Sequence, residues 1–239
     1  MMAWRIGAWT ALVLCTAFAL SAAREARALE LNDLIIEFDT VSTYEIVEPG
    51  RDVSRNEPDQ WPKRIDVIAG NLVWQTGSGL CMNKTLSLVY KRGAHHGSVD
   101  CPVERKGTST DWYERGATAT FDTTMSIAGT IVTLAGTMKG SGVFESSSCG
   151  DVSAKEIETV HTQSLKIKIS GNRCQVLEYQ DSMIEEESLT EGHGAGTVVK
   201  RTSSSQLAPG GACVVKRRSQ QPISEPGEGL VDAVRKCGN

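Results

Sequence analysis

The sequence predicts an antiparallel all-β protein. Three observations carry that prediction: apolar and polar residues alternate at period two, turn-forming dipeptides separate the alternating runs, and an even set of cysteines follows an apolar leader. About ten to twelve short strands joined as a meander would make either an up-and-down barrel or a sandwich. The pattern offers no crossover helices between strands, which argues against βαβ units.

The leader comes first. Residues 1–28 place Arg5 before an apolar run from Ala8 to Leu20, followed by small-x-small sites at Ser21-Ala22-Ala23 and Ala26-Arg27-Ala28. That is the form of a secretory signal peptide. The run is shorter than the ~20 residues a helix needs to span a bilayer, and no later stretch reaches that length, so no transmembrane segment is expected in the processed chain. An uncleaved N-terminal anchor is the alternative. Cys15 follows Leu14 inside the apolar run, whereas a lipidated cysteine follows a small residue at the run's end; it is expected to leave with the leader. Residues 29–239 then form a single disulfide-stapled β domain, exported to the periplasm or the extracellular space.

Of seven cysteines, Cys81, Cys101, Cys149, Cys174, Cys213 and Cys237 remain. In an oxidising compartment disulfides are the default state of such a set. Sequence alone leaves the connectivity open, but the spacing favours 81–101, 149–174 and 213–237. Each closes a loop of roughly 20 to 25 residues, worth about 3 kcal/mol in the chain-entropy model. With no C-x-x-C and no two cysteines within four residues of each other, a metal site is not expected.

Strands are read next. "RIDVIAGNLVWQT" (64–76) sets Gly70-Asn71 between two apolar-bearing runs, and Leu86, Leu88 and Tyr90 share a face with Ser87 and Lys91 opposite. In "ATATFDTTMS" (117–126), Ala117, Ala119, Phe121 and Met125 oppose Thr118, Thr120, Asp122, Thr124 and Ser126, the alternation of a half-buried strand. "TMSIAGTIVTLAG" (124–136) turns at Ala128-Gly129, and "SLKIKISGNRCQVLEY" (164–179) at Gly171-Asn172, with Leu165, Ile167 and Ile169 on one face. Such dipeptides supply the positive φ angles of hairpin turns. Residues 50–62 read as a surface loop and 192–196 as a loop tip. Residues 219–239 read as a linker plus a short helix, with Leu230, Val234 and Cys237 on one side of the helix at 227–237.

Formal charge is −4 before processing, and the leader removes more basic than acidic residues. A nucleic-acid partner is therefore not expected, since phosphate binding needs a basic footprint. Lys216-Arg217-Arg218 is a compact basic cluster that reads as a solvated strand edge.

Chemistry-bearing motifs are few. His95, His96, His161 and His193 would have to converge in space to hold a metal, and a His-His pair on a strand points to opposite faces. No G-x-S-x-G occurs; a Ser–His161–Asp151 triad has no sequence signature, and Glu185-Glu186-Glu187 reads as a solvated edge ahead of a glycosidase-type carboxylate pair. Gly77-Ser78-Gly79 and Gly140-Ser141-Gly142 read as simple turns, and no glycine loop offers a seat for a nucleotide, so no cofactor is expected. Asn83-Lys84-Thr85 matches a glycosylation sequon. Trp112-Tyr113, flanked by charges, leaves at least one ring for ligand stacking if extended, and Trp74, Trp112 and Tyr113 are the candidate ligand contacts. The function this supports is a non-catalytic ligand-binding or envelope-associated interaction protein, with no specific activity assigned. Two alternatives are a secreted hydrolase using histidine or carboxylate chemistry, and a protease-inhibitor-like binding protein presenting the braced loop 102–116.

Overall fold

A computed structural model describes residues 31–217 apart from 32, 52, 56–57, 77–79 and 82–85. The signal peptide, Cys15, the Asn83 sequon, Gly77-Ser78-Gly79 and the linker with its helix lie outside the described residues. Everything regular within them is β: β1 (Leu34–Val47), β2 (Ser54–Arg55), β3 (Asp59–Ile68), β4 (Asn71–Gln75), β5 (Ser87–Tyr90), β6 (Gly93–Gly107), β7 (Trp112–Ala128), β8 (Ile131–Ser148), β9 (Asp151–Ser170), β10 (Arg173–Glu191), β11 (Val198–Leu207) and β12 (Cys213–Arg217). All pair antiparallel in one twelve-stranded sheet of order β5-β4-β3-β1-β11-β10-β9-β8-β7-β6. β12 lies between β1 and β10, and β2 borders β1.

The sheet is the expected antiparallel meander, and among the described residues no ladder joins β5 to β6. It rolls over itself, so that β3–β5 cover the inner face of β7–β10. Thr123 Oγ1 of β7 donates to the carbonyl of Val89 in β5, and Tyr90 Oη donates to Gln163 Oε1 of β9 at 3.2 Å. Trp74 of β4 stacks on Tyr179 of β10, ring centroids 5.9 Å apart. Roll-over is possible because β8 carries a glycine where the overlying rings arrive. A Cβ at Gly136 would collide with the Tyr90 hydroxyl and ring and press on Leu88. Gly136→Ala is expected to cost about 1–3 kcal/mol through overpacking, read as a lower urea midpoint with an unchanged m-value.

Side chains sort by face. Ile36, Ile65, Leu72, Leu134, Leu165 and Ile167 point inward and are sealed from solvent. Outward stand Thr118, Thr120, Asp122 and Thr124 of β7, Glu156, Glu158 and Lys168 of β9, and Glu186 of β10.

Several expectations are corrected. The strands are not short: β6 to β10 run 15, 17, 18, 20 and 19 residues. Gly140-Ser141-Gly142 does not turn but lies mid-β8, where Gly140 makes room for Leu80. The loop expected at 102–116 is strand on both sides of a short turn at 108–111, with a bulge between Cys101 and Glu104. The first hairpin turns at Ala69-Gly70, both at positive φ, one residue earlier than read, because Ile68 pairs with Asn71.

The disulfide pairing also changes. Cys81 is joined to Cys101, Cα atoms 5.6 Å apart, but Cys174 is joined to Cys213, 5.2 Å apart, not to Cys149. Sheet register decides this. β12 returns to place Val214 opposite Arg173 and Cys213 opposite Phe38, so Cys213 arrives beside Cys174 at the start of β10. Cys149 sits at the β8–β9 turn, at the far end of the same strands.

Candidate functional site

The inner face changes character along the strands. At the end closed by β3–β5 it is apolar; further along, it carries charge. Register aligns Thr123, Gly136, Gln163, Asp181, Ser205 and Ser42 as one row across β7–β11 and β1, and Phe121, Met138, His161, Met183, Ser203 and Tyr44 as the next.

Asp181 organises the boundary. His161 Nε2 meets its Oδ1 at 2.5 Å, and Lys63 Nζ of β3 donates to its Oδ2 at 2.7 Å. Burial by itself would raise the Asp181 pKa, but the His161 hydrogen bond, then the Lys63 charge, hold the carboxyl below its ordinary range. The same negative charge and, foremost, burial push the Tyr90 and Tyr179 phenols above theirs. His161 is 2% exposed and, among the described residues, its Nδ1 has no hydrogen-bond partner; Thr159 Oγ1 and the Trp74 indole nitrogen are likewise buried without one. A histidine oriented by a carboxylate is the base-and-orienter pair of acyl-transfer triads. Here the pair is buried, at 3% and 6% side-chain exposure, and joins β9 to β10, with Lys63 tying in β3.

One to two rows further on, Leu80 still lies over Gly140 and Thr159, Ile157 and Glu187 stay buried, but charged side chains join the row. Glu187 accepts from Lys155 Nζ at 2.7 Å and pairs with Arg201 at 2.7 Å, while Arg201 also reaches Glu185 at 3.4 Å. Burial would raise the Glu187 pKa, but the hydrogen bonds from Arg201 and Lys155 lower it. Glu185 and Glu187 point inward and Glu186 outward to Lys200, so the run expected at a solvated edge is split across both faces by strand alternation. Beyond them Phe144 of β8 is flanked by Tyr113, at 6.4 Å between ring centroids, and by the cations of Arg115 and Lys155 at 5.0 and 5.1 Å. This half-buried stretch of rings and charges is the candidate binding surface.

Of the sequence-picked ligand contacts, Tyr113 lies on this surface. Trp112 faces outward with the Arg105 guanidinium 3.8 Å above its ring, and Trp74 lies in the closed core at 1% exposure. His96 pairs with Asp122 on the outer face, His95 meets the Arg92 carbonyl, and His161 lies inside; the three do not converge. Among the described residues no group of three His, Cys, Asp or Glu side chains is placed to hold a metal, and no helix is long and apolar enough to cross a membrane. Asp181, Lys63, Arg201 and Phe144 were not picked out from sequence. The signal for them is "DSMIEEE": Asp181, Met183, Glu185 and Glu187 share one strand face, and inward carboxylates demand inward cations.

No family model matches the chain, and no curated protein matches it. Among solved structures, Ail, the attachment invasion locus protein of Yersinia pestis, is similar at 10% identity and a TM-score of 0.27, over 77% of this chain and 99% of that one. A likeness of that size says nothing of this chain's activity or of where it resides.

Proposed function

We propose that the chain is an exported, water-facing β domain, residues 29–239 after loss of 1–28, that binds a ring-bearing polar ligand at the half-buried end of the inner face and catalyses nothing. The observation supporting it is the change along that face from a buried core to a half-buried end where Tyr113, Phe144 and Arg115 come together. Rings flanked by cations suit the apolar face and polar rim of a sugar or a polyphenol. Export is supported by two disulfides bracing distant strands, a bond type rare in reducing compartments. The hydrolase alternative would need His161, which is buried; the inhibitor alternative would need loop 102–116 presented as a free loop, and most of it is strand.

Binding is tested by thermal shift and tryptophan fluorescence against sugars, lipids and polyphenols. The expected result is a ligand that raises Tm and loses at least tenfold in affinity in Phe144→Ala, with Tyr90→Phe at the closed end unaffected. A panel without any shift, or a ligand indifferent to Phe144, overturns the reading. Fractionation with thiol counting tests export independently: processed protein from the exported fraction should titrate no free thiol when denatured.

A further inference from the structure

We propose that the C-terminal segment 229–237 seats in a groove on the outer face of β6–β9 and is fixed there by a Cys149–Cys237 disulfide. Two independent observations converge on that occupant.

The first is the bonding state of Cys149. It is disulfide-bonded, and its partner is none of the four cysteines of the two described bonds, which leaves Cys15 and Cys237. Cys15 belongs to the segment expected to leave on export, so Cys237 is the partner. Cys149 is presented for it at the β8–β9 turn, at positive φ, with its N–H donating to Asp111 Oδ1 at 2.9 Å. Forming the bond removes two protons and two electrons from the two thiols; a disulfide-bearing oxidant of the export compartment takes them up.

The second is the groove itself, about 730 Å³, which opens on the outer face and begins at Glu145, four residues before Cys149 on β8. Val103 and Val143 supply its apolar part, at 65% and 46% exposure, and Glu114, Glu145, Glu156 and Glu158 line it. None of these four carboxylates forms an ion pair among the described residues. Tethering Cys237 at the turn brings Arg235 and Lys236, its immediate neighbours, toward Glu114 and Glu145, the groove carboxylates nearest the turn, with Val234 and Leu230 behind them toward Val143 and Val103. Charge and apolar pattern match in the order the tether imposes.

Reach is sufficient. Arg217 closes β12 opposite Leu34, roughly twenty residue rows along the strands from Cys149, or about 66 Å at ~3.3 Å per row. The residues from 217 to 237 span about 66–72 Å when extended, and coiling of the sheet shortens the chord.

Non-reducing peptide mapping of the processed protein is the direct test. A Cys149–Cys237 peptide is expected; Cys237 found as a free thiol, or Cys149 joined to Cys15 or to a second copy, overturns the proposal. Seating is tested by trypsin cleavage after Arg235 and Lys236, expected to be at least tenfold faster in Glu114→Lys/Glu145→Lys than in the parent, with circular dichroism unchanged. Glu114→Gln/Glu145→Gln, which adds no charge, should give a smaller acceleration in the same direction. Equal cleavage in all three, with the disulfide intact, overturns the seating. Neither readout uses a ligand of the inner face, so failure here is separate from failure of the binding assay.

Discussion

Asp181→Ala is expected to destabilise the fold by about 3–5 kcal/mol, because it breaks a buried ion pair from one side only. The carboxylate side chain is 6% exposed and holds two partners from different strands, Lys63 of β3 and His161 of β9. Removing it leaves Lys63 aimed into the polar row without an anion and His161 without its Nε2 partner, and no solvent reaches the imidazole. Asp181→Asn keeps the shape and one acceptor, so a smaller loss is expected. Asp181→Leu combined with Lys63→Met should be less damaging than Asp181→Leu alone, since no uncompensated charge then stays in the row. Urea denaturation of these four variants and of Lys63→Met alone checks this; a double variant as unstable as the sum of its singles would show that the two groups are not coupled.

The same group sets the acid limb of stability. Asp181 and Glu187 are both held below their ordinary range in the folded chain, so on acidification the unfolded chain takes up protons first, near pH ~4. Their contribution is complete above that point and is lost as pH falls through the folded values. Tm should be flat from neutral pH down to about pH 5 and fall below pH ~4. In Asp181→Asn the whole curve should lie lower and its acid slope should be shallower.

How much of this was legible depends on which interaction decides each feature. The alternation at 117–126 needs only neighbouring residues, and β7 follows it without a break from Trp112 to Ala128. Gly171-Asn172 likewise turns where its own φ preferences put it, between Ser170 and Arg173. Strand length is different. Gly140 and Gly142 look like punctuation until Leu80, sixty residues earlier in the chain, is seen occupying the space a Cβ would take. The polar row escaped for the same reason: Lys63, His161 and Asp181 are unremarkable singly, and only the roll of the sheet sets β3 across from β9 and β10. The face a strand shows is local information; the face it meets is not.

The cysteines make that distinction measurable. Replacing Cys174 and Cys213 together by serine is expected to cost about 4 kcal/mol, since the bond closes a separation of 39 residues in the unfolded chain. The corresponding pair at Cys81 and Cys101 closes only 20 and should cost about 3 kcal/mol. Topology sharpens the contrast. β11 ends at Leu207, and the five residues of β12 take over its lane, pairing Leu34–Phe38 of β1 on one side and setting Val214 opposite Arg173 of β10 on the other. Without the Cys174–Cys213 bond, that short strand is held to β10 by little more than the Val215 N–H donating to the Asn172 carbonyl at 3.2 Å. Amide exchange should therefore accelerate first at Val214 and Val215 in the Cys174/Cys213 variant, ahead of global unfolding, while β7 and β8 stay protected. Had spacing decided the pairing, with Cys174 joined to Cys149 and Cys213 to Cys237, serine at 174 and 213 together would break two bonds. The loss would then exceed that of either partner pair, with protection falling at the β8–β9 turn as well. The two outcomes separate a bond placed by the return of β12 from one placed by proximity in sequence.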